Sequence, residues 1–130
     1  MFCNPVGHYS NRTFPPSGWT ITNPFTSYYK LGSGFVYHTG VDINLPGTKD
    51  VNEPVYCIAD GTVVYARYLS TSTWLGLVVV RHELDGHFFY SRYAHMRPPE
   101  VTQGQAVYAG HLLGHISPTA GTVAQFEPHL

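Results

Sequence analysis

The sequence carries little charge and no excess of either sign. Only 12 % of its 130 residues are charged, and seven Lys plus Arg against eight Asp plus Glu give a formal net charge of −1. A balance this even provides no basic footprint for nucleic acid and no polybasic patch for a membrane surface. At 43 % hydrophobic residues, the chain is also too apolar for a disordered protein. We therefore expect a folded domain without a polyanionic partner.

Cysteines and long apolar runs are scarce as well. Cys3 and Cys57 are the two cysteines, and one pair in a chain of this size establishes neither a disulfide nor an oxidising compartment. No apolar run approaches the roughly 20 residues that span a bilayer, and the N-terminus lacks the pattern of a signal peptide. Motifs for a serine nucleophile elbow, a phosphate-binding loop and a dinucleotide site are missing too. We assign no disulfide and no membrane span.

Turn formers and aromatic residues are what the sequence has in quantity. Thirteen Gly, ten Pro and ten Tyr favour strands joined by tight turns over helices. A length of 130 residues fits one domain with one core. We predict an all-β chain with two parts. Residues 1–34, which are rich in Pro, Gly, Ser, Asn and Thr, form an irregular lead-in with one short strand at "WTIT", and residues 35–130 form a compact antiparallel β domain.

Apolar stretches separated by turn signals locate the strands of this domain. "FVYHTGVDINL" is predicted as one strand, and Gly110 and Gly114 are predicted to cut "AVYAGHLLGHI" into short strands. Two Asp-Gly pairs predict hairpins, one at Asp60-Gly61 and one at Asp85-Gly86. A faint internal similarity between "EPVYCIADGTVVYA" and "GQAVYAGHLLGHI" fits similar hairpins stacked in one sheet.

Eight histidines are the compositional feature that bears on function, because imidazole is the commonest metal ligand and a proton carrier near neutral pH. In "HTGVD", His38 and Asp42 lie four apart around Gly40, so a plain strand puts them on one face and a bend at the glycine brings them to one cation. Zinc accepts such mixed nitrogen and oxygen ligands. The same spacing also fits a surface histidine beside a turn aspartate, and from the residues alone both interpretations stay open.

Two further histidines stand at positions suited to a site. His95 ends the strand "HFFYSRYAHM", where a side chain can project into a cleft, although a histidine satisfied within a hydrogen-bond network fits equally well. His129 follows Pro128, which favours an extended entry.

The remaining histidines carry less signal. His111 and His115 have the spacing of a helical metal pair, but the glycines beside them argue against a helix. His82 and His87 flank the Asp85-Gly86 turn and are predicted to be solvated hairpin residues, and His8 lies in the lead-in. Cys57, inside an apolar strand, is predicted to be a small buried residue and not a nucleophile.

Together, "HTGVDINLPGTKDVNEPVYCIADGTVVYA", "WLGLVVVRHELDGHFFYSRYAHM", "VTQGQAVYAGHLLGHI" and the final "PHL" resemble the lysostaphin-type zinc metallo-endopeptidases of bacteria and their phages. The resemblance runs from about Tyr37 to the C-terminus. It implies a compact antiparallel β-sheet domain with a substrate groove, a Zn²⁺ cofactor and a peptide of the bacterial cell wall as substrate. It also implies an extracellular, periplasmic or wall-associated location.

The resemblance assigns roles by position. His38 and Asp42 match the H-x-x-x-D pair of metal ligands, His95 matches the catalytic histidine of the "Y-A-H" strand, and His129 matches the catalytic first histidine of an H-x-H pair. A tyrosine upstream of the first ligand stabilises the oxyanion in that family, and Tyr29 is the chosen candidate over its neighbours Tyr28 and Tyr37. The third metal ligand of the family falls at the position after Leu130, so we expect the 130-residue form to be impaired.

Two alternatives remain beside a zinc endopeptidase. One is a non-catalytic relative that binds wall peptide or a partner hydrolase through the same groove. The other is a swinging-arm carrier, since the hairpin-like segments faintly resemble lipoyl- and biotinyl-type domains. Such carriers need a lysine at a hairpin tip, and Lys30 and Lys49, the chain's two lysines, do not lie between the matching strands.

Overall fold

A computed structural model describes residues 1–11 and 13–118, with the backbone alone at Tyr29, Leu31 and Val36. The all-β prediction is confirmed, because the described residues form strands and contain no helix. None of these residues therefore belongs to a helix long and apolar enough to cross a membrane. The strands are β1 Thr20–Asn23, β2 Tyr28–Leu31, β3 Gly34–Tyr37, β4 Asp42–Asn44, β5 Pro54–Tyr56, β6 Gly61–Leu69, β7 Leu75–Leu84, β8 His87–Met96, β9 Ala106–Val107 and β10 Leu112–His115.

All strand pairs in the described ranges are antiparallel. The largest sheet has the order β8-β7-β6-β9, and three two-stranded sheets pair β1 with β4, β2 with β3, and β5 with β10. The hairpin predicted at Asp85-Gly86 is confirmed as the β7–β8 connection. Both turn residues have positive φ, 52° at Asp85 and 76° at Gly86, which is the backbone that a two-residue type I′ turn requires.

The hairpin predicted at Asp60-Gly61 is wrong. β5 pairs with β10, whereas β6 pairs with β7 and β9, so the chain passes from one sheet to another at this point. Neither Asp60 nor Gly61 has the positive φ of a primed turn. Gly61 serves a close approach between strands instead, since a Cβ there would lie 2.4 Å from the Arg81 carbonyl oxygen. The two segments that resemble each other in sequence thus pair with one another, β5 with β10 and β6 with β9.

The single strand predicted over residues 35–45 is also wrong. Its two ends form β3 and β4, and residues 38–41 between them are not in a strand. β3 pairs with β2 while β4 pairs with β1, so the segment has to bend between two partners at Gly40. Gly114 does not cut the last predicted strand, because it lies inside β10.

The core joins the N-terminal lead-in to the β domain. Val6 and Trp19 belong to the same buried cluster as the strand residues Val55, Val78 and Met96. Burying side chains of this size contributes roughly 1.5–3 kcal/mol each. The short strand predicted at "WTIT" is confirmed in β1, and β2 makes the lead-in more regular than predicted. The division into two parts at residue 34 stays a prediction.

A β-bulge lies where the start of β7 pairs with the end of β8. Leu75 and Gly76 both stand opposite Met96, and the pairing shifts again before Val78. Gly76 permits this close contact, because a Cβ at that position would lie 2.1 Å from the Arg97 carbonyl oxygen and 2.6 Å from that of Met96. Those atoms are backbone and cannot rotate away. The bulge therefore lies beside His95, which precedes Met96 in β8.

We expect Gly76→Ala to lower the free energy of unfolding by about 1–3 kcal/mol, the usual cost of forcing extra atoms into a packed site. Urea unfolding of the purified protein measures this change. Gly114→Ala is the matched control, since a Cβ there meets its nearest neighbour, the Met96 sulfur, at 3.5 Å. Equal stability of the two variants would show that the bulge relaxes around a methyl group.

Candidate active site

A groove of about 940 Å³ runs along one side of the molecule. Its walls come from the turn between β3 and β4, the loop before β7 and the end of β8, and the N-terminal residues contribute to one side. The lining side chains include His38, Asp42, Trp74, Arg92 and His95. Three of the five site residues predicted from sequence therefore lie in one groove.

His38 and Asp42 are brought together by the turn between β3 and β4. The Nε2 atom of His38 lies 3.2 Å from Oδ1 of Asp42, and the two side chains are 16 % and 21 % exposed. The turn is held by backbone hydrogen bonds: the His38 N–H donates to the Ser27 carbonyl at 2.8 Å, and the Thr26 N–H donates to the His38 carbonyl at 2.8 Å. The lead-in thus positions the first predicted ligand.

The other ring nitrogen of His38 defines how the imidazole can coordinate. Nδ1 lies 3.3 Å from the Pro24 carbonyl oxygen, which accepts and cannot donate, so Nδ1 carries the proton in this contact. Nε2 then faces the Asp42 carboxylate and is the nitrogen that a metal shared with Asp42 would bind. A backbone carbonyl on the second nitrogen is the usual way in which proteins orient a metal-binding histidine.

The donor set at this turn fits zinc. Two ligands of one tetrahedral zinc, with bonds of roughly 2.0–2.2 Å, are about 3.3 Å apart. The observed 3.2 Å separation between His38 Nε2 and Asp42 Oδ1 agrees with that value. Within residues 1–11 and 13–118, however, no group of three or more His, Cys, Asp or Glu side chains is arranged to hold a metal. The described residues therefore provide two of the donors that a protein zinc site needs.

His95 is fixed by the loop that precedes β7. Its Nδ1 lies 2.7 Å from the Thr73 carbonyl oxygen, and its backbone N–H donates to the Trp74 carbonyl at 2.7 Å. The imidazole stacks on the Trp74 indole, with ring centroids 6.0 Å apart and an angle of 5° between the planes. Because Nδ1 donates to a carbonyl, Nε2 is the nitrogen that can accept a proton from a group in the groove.

The backbone of His95 is unusual in a way that suits a site. Its φ is 62°, in the left-handed region that residues other than glycine seldom occupy. Such conformations persist where the surroundings hold them, often at functional sites. Here the bulge opposite Met96 and the hydrogen bond from the Ser117 N–H to the His95 carbonyl, at 3.0 Å, hold it.

Trp74 and Arg92 belong to the groove but were not predicted from sequence. The Arg92 guanidinium carbon lies 4.6 Å from the centre of the Trp74 ring, and Nη2 donates to Thr39 Oγ1 at 3.0 Å. Arg92 therefore connects the loop that holds His95 with the turn that carries His38. Its place three residues before His95 on the same strand was the available sequence signal.

A buried hydrogen-bond network lies behind the groove, and it corrects the prediction that His82 is solvated. His82 is 1 % exposed, with Nδ1 2.8 Å from the Asp60 carbonyl oxygen and Nε2 2.7 Å from Ser91 Oγ. Ser91 Oγ is 2.9 Å from Tyr93 Oη, which also accepts from the Ile58 N–H at 2.9 Å. Burial raises the pKa of the Tyr93 phenol well above its usual range, so the hydroxyl remains protonated.

The other histidines and the cysteines lie outside the predicted centre. His111 and His115 are in a turn and in β10, not on a helix, and Nδ1 of His115 lies 2.6 Å from Glu100 Oε2. Both cysteines are free thiols, which agrees with assigning no disulfide. Cys57 is fully buried, and burial raises the pKa of its thiol, as expected for a packed residue and not a nucleophile.

Two predicted site residues stay untested. His129 lies outside the described residues. For Tyr29 the structure describes only the backbone, which pairs with Val36 in the β2–β3 hairpin. The alternative tyrosines Tyr28 and Tyr37 are 62 % and 65 % exposed, and their rings contact each other with centroids 5.0 Å apart and planes tilted by 42°.

The family model of peptidase family M23 matches residues 36–130, a range that includes His38, Asp42 and His95. This chain belongs to the M23 peptidases. The resemblance to lysostaphin-type enzymes is thereby confirmed at the level of the family, and a peptidase-type function follows from membership. A comparison with curated proteins found no match.

Two solved structures share the fold of this M23 domain. A zinc-containing peptidase from Vibrio cholerae superposes with a TM-score of 0.69 at 23 % identity, covering 99 % of this chain and 36 % of that one. A protein assigned to the M23 peptidases from Pseudomonas aeruginosa gives a TM-score of 0.59 at 24 % identity, covering 99 % of this chain and 42 % of that one. The chain thus spans well under half the length of either protein, and the likeness at these identities concerns the fold.

We expect Tyr93→Phe to lower the free energy of unfolding by about 1–3 kcal/mol, because it removes the acceptor of the buried Ile58 N–H and a partner of Ser91. Chemical denaturation provides the measurement. Tyr90→Phe on the same strand is the matched control, since Tyr90 is 62 % exposed and its loss should change stability by less than about 0.5 kcal/mol. Equal effects at both positions would argue against a stabilising network.

Proposed function

We propose that this M23 domain is a zinc-dependent endopeptidase that hydrolyses peptide bonds of bacterial peptidoglycan. The observation that carries the proposal is the His38–Asp42 pair, whose donor atoms are 3.2 Å apart in a groove that His95 also lines. The zinc named for the Vibrio cholerae relative gives additional support at the level of the fold. An extracellular, periplasmic or wall-associated location is part of the same proposal.

His38 and Asp42 would hold the metal, one through Nε2 and the other through a carboxylate oxygen. Bound zinc would supply a water of pKa near 7 and polarise the scissile carbonyl. The Pro24 carbonyl keeps the His38 ring turned so that Nε2 points at the site. The partial burial of both side chains limits competition from solvent for their lone pairs.

His95 is proposed to move the protons of the reaction. Its Nδ1 is committed to the Thr73 carbonyl, so Nε2 can accept a proton from the attacking water and deliver it to the leaving amine. The Trp74 stack prevents the ring from rotating out of the groove. His129 is proposed as a second catalytic histidine and Tyr29 as the donor to the developing oxyanion, the roles that the lysostaphin-type resemblance implies.

Substitution of His38 should affect zinc binding, whereas substitution of His95 should affect catalysis alone. We expect His38→Ala to weaken zinc binding by at least about tenfold, because one of the protein's ligands is lost, and His95→Ala to leave zinc affinity within about threefold of wild type. Competition with a chromogenic chelator measures both. His87→Ala, on the exposed β7–β8 turn, is the control for removing a histidine outside the site. A zinc affinity lowered by His95→Ala as much as by His38→Ala would contradict the assigned roles.

Activity should depend on a third metal ligand. The resemblance puts that ligand directly after Leu130, so we expect a chain extended there by a histidine and a short strand-forming segment to bind zinc more tightly than the 130-residue chain. We also expect it to release peptides from purified cell walls, and His95→Ala in that chain to slow release by about 10²–10⁴-fold.

The same experiment separates the enzyme from its alternative. An extended chain that is fully loaded with zinc and leaves the walls intact would refute the endopeptidase. Retention of that inactive chain on the insoluble wall fraction would then favour a non-catalytic wall-binding relative. Mass spectrometry of the soluble fraction identifies the peptide bond that is cut, and an alanine variant of Tyr29 tests its role at the oxyanion.

A further inference from the structure

Arg92 is a cation in the groove that the proposed reaction does not use. Its side chain is exposed, and it stands between the turn carrying His38 and the loop carrying Trp74. Both contacts hold it in place: the guanidinium lies over the Trp74 ring at 4.6 Å, and one nitrogen donates to Thr39 Oγ1 at 3.0 Å. An arginine fixed on an aromatic face loses little further freedom when it binds a ligand.

The guanidinium retains most of its binding capacity. It has five N–H donors in a planar fork, and the bond to Thr39 uses one of them. The ion pairs among the described residues join His38 to Asp42 and His115 to Glu100, and Arg92 takes part in neither. An exposed arginine with this geometry favours a planar anion, and carboxylate is the planar anion that two parallel N–H donors match.

We propose that Arg92, supported by Trp74 and Thr39, binds a free carboxylate of the substrate peptide and selects wall peptides that carry one near the bond to be cut. The inference rests on the proposed endopeptidase function and adds a specificity to it. The chemical feature recognised is a carboxylate that stays free because the peptide is linked through a different group. A carboxamide at the same position would retain the shape and lose the charge.

The distances limit where this carboxylate lies in the substrate. The Trp74 ring is 4.6 Å from the Arg92 guanidinium carbon and 6.0 Å from the His95 ring, so guanidinium and imidazole cannot be farther apart than these two lengths laid end to end. An extended chain advances roughly 3.3–3.6 Å per residue. The carboxylate and the scissile carbonyl each lie a hydrogen bond of roughly 3 Å beyond these groups, so the recognised carboxylate lies within about five residues of the scissile bond.

The test uses two cross-linked stem peptides of peptidoglycan, one with its free carboxylates and one with the same carboxylates amidated. For the extended, zinc-loaded chain we expect kcat/KM to be about 10- to 100-fold higher on the carboxylate form, the range for a charge-assisted hydrogen-bonded pair. Arg92→Gln should reduce the ratio to about one, and Arg92→Lys should retain part of it. Arg81→Gln is the matched control, because Arg81 also lies over an aromatic ring, Phe88, at 4.9 Å but outside the groove.

A second measurement keeps this inference separate from the endopeptidase proposal. Calorimetric titration of the zinc-free protein with both peptides measures carboxylate preference without hydrolysis. A preference that Arg92→Gln removes, when the extended and zinc-loaded chain cuts neither peptide, would refute the endopeptidase and retain the carboxylate site. Equal binding of both peptides by the wild type, or a preference that survives Arg92→Gln in a variant with unchanged unfolding midpoint, would overturn the carboxylate site.

Discussion

The pairing of β7 with β8 is the constraint on which the functional geometry depends. Its bulge at Leu75 and Gly76 shifts the register opposite the end of β8, and His95 takes its left-handed backbone there. The loop that enters β7 supplies the Thr73 carbonyl and the Trp74 ring, so the partner that creates the bulge also orients the imidazole. Position and tautomer of His95, the proposed proton carrier, thus have one structural origin.

The side of the groove that carries His38 and Asp42 is built differently, from backbone contacts with the lead-in. Ser27 and Thr26 hold the backbone of His38, and Pro24 holds its ring. Arg92 then bridges the two sides through Thr39 and Trp74. The H-x-x-x-D motif is therefore insufficient by itself to form a site, because its side chains converge only when the preceding residues hold the turn in place.

The sequence predicted local features well and long-range pairing poorly. Asp85-Gly86 was recognised because a primed turn needs residues that tolerate positive φ, and the β-branched run before it and the aromatic run after it both favour strands. Asp60-Gly61 has the same letters but serves a crossing between sheets, which depends on the distant Arg81 and is invisible in a local window. His82 was misjudged for a similar reason, since burial came from Asp60 and Ser91, far away along the chain. Spacing and strand position singled out His38, Asp42 and His95, and the resemblance assigned their roles, whereas the contacts of Arg92 became visible only in the fold.

The crossing at Asp60-Gly61 also bears on how the chain reaches its folded state. β5 acquires its partner only when β10 is present, and β6 is flanked on one side by β9, so the middle of the chain pairs with residues near its end. Contacts this distant in sequence carry a large loop-closure cost and slow folding. On a ribosome the β7–β8 hairpin would form early, while Val55 and Val63 would wait, exposed, until Leu113 and Val107 emerged. We expect the β7–β8 hairpin, whose strands are adjacent in the chain, to pair before the contacts that close the core.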